Sequence, residues 1–254
     1  MNRADNMSNN NSSIATRTFK IATYDIGFNN QMKISSIMKY QQDIGDEYLA
    51  SSGFTHDYLY NEVGVFFAVS HMRIHIFRLP KLDETVQLTT WCTGGGDESK
   101  FRRCFRFSSE NGETLIESIA LLPVIDVNTR RAIRPSRVEA FQVFAYNDLP
   151  LSIVNPKKVA KKEEYTHSLS RTIRYSDLDY NGHVNNTVYA DIILDSLPKG
   201  TETNEIEQLD IYFRAEMKMG QNITVSSVVE GETAYFCGEN DGTVCFTAKC
   251  DLKN

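Results

Sequence analysis

An internal repeat constrains the fold of this chain more than any other feature of its sequence. Residues 25–32 align with residues 177–184, and the two segments share an aspartate, an aliphatic residue, an aromatic residue and an asparagine at matching positions. Each segment directly precedes a stretch with helical periodicity. Because such repeats indicate that one structural unit occurs more than once, we expect a fold built from two related halves.

The two copies differ in their ionisable residues. Gly27 and Gln31 of the first copy stand where the second has Asp179 and His183. Farther along the chain, residues 77–80 align with residues 213–216, so that only the second copy carries a carboxylate, Glu216, at this place. Any acid–base chemistry is therefore expected in the C-terminal half.

In both halves a helical pattern is followed by several strand patterns. Two windows have the spacing of amphipathic helices. The apolar residues that fall on one helix face are Ile34, Ile37, Met38 and Ile44 in the first window and Val188 and Ile192 in the second. Alternating apolar residues then predict strands, and Asn-Gly at 111–112 and Asp-Gly at 241–242 favour hairpin turns. One helix followed by an antiparallel sheet, twice, predicts an α+β fold.

Composition divides the 254 residues into four segments. Residues 1–16 are rich in Asn and Ser with little to bury, so a disordered tail is expected. Residues 147–165 are rich in Pro, Lys and Glu and are predicted to be a linker. The two folded units are then 17–146 and 166–254, and the chain is long enough to give each its own core.

Bulk properties exclude several classes of protein. A net charge of −6 argues against broad electrostatic binding to nucleic acid or to anionic membrane, so an acidic partner must meet a local basic patch. No run approaches the ~20 apolar residues that span a bilayer, and the N-terminus lacks an apolar signal segment, so neither membrane insertion nor export is expected. Five cysteines without a CxxC pair favour free thiols in a reducing cytoplasm.

Residues 179–186, which lead to Tyr189, resemble the signature of plant and bacterial acyl-acyl carrier protein thioesterases. Other residues similar to landmarks of that family are Gln41, Arg78, Thr90, Trp91, Ile125, Asp126, Thr129, Arg130 and Arg131, so the resemblance covers all but the tail and the linker. It implies a double hotdog, in which each long helix is wrapped by an antiparallel sheet. It further implies hydrolysis of thioesters between a fatty acyl group and acyl carrier protein, with an acyl-chain pocket in the N-terminal hotdog (17–146) and a catalytic C-terminal hotdog (166–254), and no prosthetic cofactor is needed. His71 and His75 lie two apart on a predicted strand with no third ligand evident, so no metal site is expected.

The candidate catalytic residues are Asp179, Asn181, His183 and Glu216. The motif precedes a helix whose unpaired N–H groups stabilise negative charge, so a thioester carbonyl placed there would be polarised. Asn181 could donate to that carbonyl or orient water, and a preorganised donor of this kind contributes roughly 2.7 to 4 kcal/mol. His183 can act as base toward water or acid toward the leaving thiolate. The resemblance assigns Asp179 and Glu216 to the site, where Glu216 would activate water or orient His183.

One position departs from the plant members of the family. They carry a cysteine straight after the glutamate, once proposed as a nucleophile, where this chain has Met217. A thioether cannot attack a carbonyl, so catalysis is expected to run through Glu216, Asn181, His183 and water. On this interpretation Glu216→Ala abolishes turnover and Met217→Ala largely spares it.

Several alternatives stay open from the sequence. Acyl-CoA hydrolysis and non-catalytic acyl binding are the other candidate functions, and a homodimer is possible. Asn185 and Asn186 are predicted to be helix caps, and Asp25 and Asp177 to brace their turns. Two basic sets could receive an acidic carrier protein, namely Lys157, Lys158, Lys161 and Lys162 or Arg130, Arg131, Arg134 and Arg137.

Overall fold

The computed structural model describes residues 13–94, 99–201 and 205–253. Ten strands form one antiparallel sheet in the order β1-β4-β5-β6-β3-β10-β13-β12-β11-β9, and β2, β7 and β8 form a small second sheet. The elements of the first half are β1 (Ile14–Lys20), α1 (Ile34–Ser51), β2 (Val65–Phe67), β3 (His71–Ile76), β4 (Thr85–Thr93), β5 (Phe101–Ser109), β6 (Thr114–Leu122), β7 (Val124–Asp126) and β8 (Ala132–Ile133). Those of the second half are β9 (His167–Thr172), α2 (Asn186–Asp195), β10 (Glu205–Phe213), β11 (Asn222–Glu230), β12 (Thr233–Asn240) and β13 (Thr243–Lys253).

The sequence repeat corresponds to a repeat of topology. From the middle of the large sheet outward, β3-β6-β5-β4-β1 on one side matches β10-β13-β12-β11-β9 on the other. In each half the first strand lies at the outer edge, the helix comes next, and the first strand of the large sheet after the helix (β3 or β10) lies at the centre. The predicted arrangement of helix and antiparallel sheet, twice, is therefore confirmed.

The two halves are joined at the centre of the sheet. Strands β3 and β10 pair antiparallel with Met72 opposite Ile211, and α1 packs against α2. Arg73 donates to both carboxylate oxygens of buried Asp210 across this seam, at 2.6 and 2.8 Å. Because a bidentate guanidinium–carboxylate pair fixes geometry as well as charge, this contact sets the register between the halves.

Both helices bury the faces that the sequence predicts. Ile34, Ile37, Met38 and Ile44 of α1 are each no more than 4% exposed, and Ile192 of α2 joins the same hydrophobic core. The five cysteines are free and buried, and burial raises the pKa of Cys104 to about 11. Among the described residues no helix is both long and apolar enough to cross a bilayer.

The predicted tail is too long at its C-terminal end. Strand β1 begins at Ile14, which lies opposite Trp91 of β4, so residues 14–16 are ordered in the sheet. Residues 1–12 lie outside the described part of the chain. Strand β1 lies at the outer edge of the sheet and needs few buried side chains. Its first residues therefore have the same polar composition as the tail, and the sequence does not distinguish the two.

The segment predicted as a linker, 147–165, has no helix or strand but is packed onto the sheet. Leu149, Leu151 and Ile153 cover Trp91 and its buried neighbours. The buried carboxylate of Glu117 accepts hydrogen bonds from the amide (2.8 Å) and the hydroxyl (2.6 Å) of Ser152. The segment is thus a strap over the outer face of the sheet, and it carries its own apolar anchors.

A buried histidine in β3 should make stability depend on pH. His71 stacks on Tyr212 with ring centroids 4.3 Å apart, and burial, aided by the charge of Lys100, lowers its pKa to about 4. The unfolded chain therefore takes up the proton first, so stability is full above pH 6.5 and is lost as the pH falls toward 4. The loss should reach about 2 to 3 kcal/mol. Denaturant unfolding at pH 7 and pH 4.5 should show a smaller pH effect for His71→Phe than for the wild type, and equal effects would contradict this account.

Candidate active site

The loop before α2 is held by a braced turn. The Asp177 carboxylate accepts hydrogen bonds from the Arg174 amide at 2.8 Å and from the Arg171 guanidinium at 2.5 Å. Its own carbonyl accepts from the Asn185 amide at 2.9 Å, which closes the loop. Asp25 braces the equivalent turn of the first half, where its carboxylate accepts a hydrogen bond from the Ala22 amide at 3.2 Å. The bracing roles predicted for both aspartates are confirmed.

Asp179 organises the loop from inside. Its carboxylate Oδ1 accepts from the amides of Asn181 (2.9 Å) and His183 (3.3 Å), and its amide donates to the His183 carbonyl at 2.8 Å. Gly182 has a φ of +74°, a conformation that favours glycine. The backbone around His183 is therefore fixed before any substrate arrives.

His183 and Glu216 meet at the end of this loop. His183 Nε2 lies 3.3 Å from Glu216 Oε2. The contact follows from a short bridge, since residue 183 pairs with Lys218 and the Val184 amide donates to the Met217 carbonyl at 2.9 Å. The Glu216 side chain is 56% exposed and the His183 side chain 20%, so the carboxylate reaches water while the imidazole is mostly enclosed.

The N-terminus of α2 follows His183 closely in the chain. Asn185 is the N-cap, and its side chain accepts from the Thr187 amide at 2.9 Å. The predicted capping role is thus confirmed for Asn185, whereas Asn186 is the first residue of the helix itself. The cap satisfies one of the first amides, and the positive end of the helix dipole remains directed at the loop.

The structure brings Asn181 into the same loop but not onto the His183–Glu216 pair. Its side chain is exposed and lies against the Tyr180 hydroxyl. Within the described ranges, no hydrogen bond joins the Asn181 amide group to His183 or Glu216. Of the four predicted residues, His183 and Glu216 are therefore joined through their side chains, whereas the Asp179 carboxylate contacts both His183 and Asn181 through their backbone amides.

The first copy of the motif has the same backbone without the ionisable groups. The Gly27 amide donates to the Gln31 carbonyl at 2.9 Å, as that of Asp179 does to the His183 carbonyl. Asn30, with a φ of +58°, occupies the place of Gly182. The loop conformation therefore does not require a carboxylate at position 179, although that carboxylate tightens it.

The aligned register of the second matching pair was wrong by one residue. The amides of Phe77 and Arg78 share the Leu115 carbonyl, and those of Arg214 and Ala215 share the Cys245 carbonyl. Glu216 therefore corresponds to Leu79 and not to Pro80. A shared Phe-Arg dipeptide misled the alignment, but the conclusion that the first copy lacks this carboxylate is unchanged.

Sequence reasoning missed a contribution from the first half. The His56 ring meets Tyr180 of the loop edge-on, with centroids 5.4 Å apart, and Tyr60 stacks on His56 at 5.7 Å. Tyr60 belongs to a π-helical turn, Tyr58–Val63. The only sequence signal was a cluster of aromatic residues between α1 and β2, which by itself predicts no contact with a loop more than 100 residues away.

An open cleft lies behind this turn. Its volume is about 740 Å³, and its lining includes Phe54, Tyr58, Val63, Val65 and Arg137. The walls come from the end of α1, the π-helical turn, the small sheet and the segment that follows it. The cleft is thus formed by the N-terminal half, while the His183–Glu216 pair belongs to the C-terminal half.

Two sequence models of one protein family match this chain. The sequence model of the acyl-ACP thioesterase N-terminal domain matches residues 13–139, and that of the C-terminal domain matches residues 159–245. A chloroplastic palmitoyl-acyl carrier protein thioesterase of Gossypium hirsutum is 26% identical over 240 residues, which are 89% of this chain and 58% of the relative. A chloroplastic acyl-[acyl-carrier-protein] hydrolase of Cuphea viscosissima is 28% identical over 240 residues, 90% of this chain and 56% of the relative. The chain thus spans a little over half the length of these relatives.

Solved structures show the same fold. An acyl-ACP thioesterase from Bacteroides thetaiotaomicron has a TM-score of 0.83 at 22% identity, over 97% of this chain and 100% of that one. The 12:0-ACP thioesterase from Umbellularia californica has a TM-score of 0.83 at 20% identity, over 96% and 95% of the two chains. The predicted double hotdog is confirmed.

Proposed function

Because this chain belongs to the acyl-ACP thioesterase family, we propose that it hydrolyses thioesters between fatty acyl groups and acyl carrier protein. The products are the free fatty acid and the carrier thiol. The observation that carries the proposal is the 3.3 Å contact between His183 Nε2 and Glu216 Oε2 directly before the N-terminus of α2. An acid–base pair and a source of positive potential thus converge where a carbonyl can be attacked.

The proposed reaction begins with a water molecule held by the Glu216 carboxylate. Glu216 takes a proton as the water oxygen attacks the thioester carbonyl, and the carbonyl becomes a tetrahedral oxyanion. The N-terminal amides of α2 stabilise that charge, and the Asn181 side chain, which is exposed beside the loop, supplies a further donor once the substrate is bound. Collapse of the intermediate breaks the C–S bond, and His183, which takes up the proton held by Glu216 across their 3.3 Å contact, delivers it to the departing thiolate. This acid–base chemistry requires neither a metal nor a prosthetic cofactor.

An acyl-cysteine intermediate has no support in this chain. Met217, which follows Glu216, is fully buried with its side chain in the core. Cys245 is also buried, and burial raises the pKa of its thiol, which disfavours the nucleophilic thiolate. Water is therefore the proposed nucleophile.

The five free cysteines suit a reducing compartment, and we propose a cytoplasmic location on that ground.

We assign the acyl chain to the N-terminal half. Phe54, Val63 and Val65 line the 740 Å³ cleft together with charged residues such as Glu62 and Arg137, and its Tyr58 begins the turn whose Tyr60 stacks on His56 beside the loop. The apolar side chains of this lining would bind an alkyl chain, because burial removes hydrocarbon from water. Its depth in the bound state would set the preferred chain length.

Asp179 should act by positioning the loop, because its carboxylate accepts from two backbone amides. Asp179→Ala removes both hydrogen bonds and should lower kcat about 10- to 100-fold, since small misplacements of catalytic groups are costly. Asp179→Asn keeps an oxygen acceptor and should restore most of the activity. Steady-state kinetics with circular dichroism as a folding control would measure this. Equal losses in the two variants would show instead that the charge of Asp179 takes part in the reaction.

The function is tested by mass spectrometry of the acids released from a panel of carriers. Purified protein is given acyl carrier protein and coenzyme A, each loaded with acyl groups of several lengths. We expect free fatty acid from the carrier protein at a kcat/KM well above that for coenzyme A. Faster hydrolysis of the coenzyme A thioesters would favour an acyl-CoA thioesterase, and binding without release would favour an acyl-binding protein.

A further inference from the structure

Two exposed basic segments are candidates for contact with an acidic partner, and the structure treats them differently. In the strap, Lys161 pairs with Glu239 at 2.8 Å and Lys162 with Glu230 at 2.6 Å. Lys162 also lies over the Tyr235 ring, 3.7 Å from its centroid. Half of the strap's lysine charge is therefore already neutralised within the chain.

The other segment is the turn between β7 and β8 with the residues that follow it, here called the arginine hairpin. It comprises Arg130, Arg131, Arg134 and Arg137, and all four are exposed. Among the ion pairs between described residues, none includes Arg130, Arg131 or Arg137. In a chain with a net charge of −6, three exposed arginines that form no ion pair with another described residue point to an external anionic partner.

The arginine hairpin is preorganised. The Asp126 carboxylate accepts from the amides of Asn128 (3.1 Å) and Thr129 (2.7 Å) and from the Thr129 hydroxyl (2.8 Å). These hydrogen bonds hold the pKa of Asp126 below its ordinary value, so the carboxylate keeps its contacts at acid pH values where an ordinary aspartate would begin to take up a proton. The arginines are thus presented on a fixed backbone, which reduces the entropy lost on binding.

A chain of aromatic contacts links the arginine hairpin to the catalytic loop. The Arg130 guanidinium lies 5.2 Å from the Phe66 ring centroid, and Phe66 lies 6.3 Å from Tyr60. Tyr60 stacks on His56, which meets Tyr180 of the loop. No step in this series exceeds 6.3 Å. Arg137 also lines the 740 Å³ cleft, so the hairpin borders the cleft and is connected to the loop through Phe66, Tyr60 and His56.

We propose that the arginine hairpin docks the acidic surface of the acyl carrier protein, and that the strap does not. The inference rests on the proposed function, because it identifies where that substrate's protein part binds. Docking here leaves the carrier's thioester-bearing arm beside the π-helical turn, with the cleft on one side and the His183–Glu216 pair on the other. Electrostatic attraction at this surface would speed encounter and select for acidic carriers.

The test compares Arg131→Glu with the matched strap variant Lys157→Glu, since both reverse one exposed charge. Each is assayed with an acyl-acyl carrier protein and with the N-acetylcysteamine thioester of the same acid, which lacks the protein part. Arg131→Glu should raise KM for the carrier substrate about 10-fold or more and leave the small thioester unaffected. Lys157→Glu should change neither. Added salt should raise the KM of the wild type for the carrier substrate by a larger factor than it raises the KM of Arg131→Glu.

Direct binding separates failure of this inference from failure of the proposed function. The Kd for a thioether analogue of the acyl carrier protein is measured for the wild type and both variants. A weaker Kd for Arg131→Glu alone supports docking at the hairpin, even if no thioester is hydrolysed. An unchanged Kd and KM for Arg131→Glu would overturn the inference, and so would a loss of binding confined to Lys157→Glu. In either case hydrolysis by the wild type would still support the proposed function.

Discussion

Replacing Glu216 by Gln should lower kcat on an acyl-acyl carrier protein by about 10²- to 10⁴-fold, the usual contribution of a positioned general base. Glutamine keeps the shape and a hydrogen-bond acceptor for His183, but it cannot take a proton from water. Because the Glu216 side chain is 56% exposed, the free energy of unfolding should change by no more than about 0.5 kcal/mol. Stopped assays with quantified fatty acid, together with thermal unfolding, would measure both quantities.

The matched control is the neighbouring residue. Met217 is fully buried, so Met217→Ala would leave a cavity and confuse an activity measurement with a loss of stability. Met217→Leu conserves volume and should cost less than about 1.5 kcal/mol with kcat nearly unchanged. A large loss in Met217→Leu with little loss in Glu216→Gln would reject the proposed roles.

His183→Gln should lower kcat by a similar factor, about 10²- to 10⁴-fold, and it recreates the residue that the first copy carries at Gln31. The reason is the loss of a proton for the leaving thiolate. The size of the loss should therefore depend on the thiol: an aryl thioester, whose thiolate leaves without protonation, should be much less affected than an alkyl thioester. Parallel assays of the two substrates measure this dependence.

Equal losses on aryl and alkyl thioesters would place His183 elsewhere in the reaction, for example in orienting Glu216. The substitution should not disturb folding, because residue 183 contacts Asp179 through its backbone amide and carbonyl and not through its side chain. The variant should thus keep the loop, and its circular dichroism should match that of the wild type.

The sequence was sufficient for those features that depend on short-range pattern. The buried faces of α1 and α2 follow from apolar spacing, and the bracing of Asp25 and Asp177 from the repeat. The contact of His183 with Glu216 was anticipated only through the family resemblance. It depends on the bridge between residue 183 and Lys218, which no local pattern reveals.

Other features depend on packing that single-segment patterns do not record. Residues 147–165 have the composition of a linker, yet Leu149 and Leu151 anchor them on the sheet. His56 approaches Tyr180 because the two halves pack together. The match of Glu216 to Pro80 failed because both segments contain a Phe-Arg dipeptide, and the two dipeptides are displaced by one residue relative to the hydrogen bonds to Leu115 and Cys245 that fix the register.

The rate of hydrolysis by the double variant His183→Gln/Glu216→Gln tests the proposed site most directly, by single turnover on an acyl-acyl carrier protein. Groups that act on one reaction as a unit show losses that are far from additive. The two side chains lie 3.3 Å apart, so we expect them to act as a unit. The rate of the double variant should therefore lie within a few-fold of the rate of the slower single variant. Losses that multiply would show that the two residues act independently, and wild-type rates in all three variants would place the chemistry at another site.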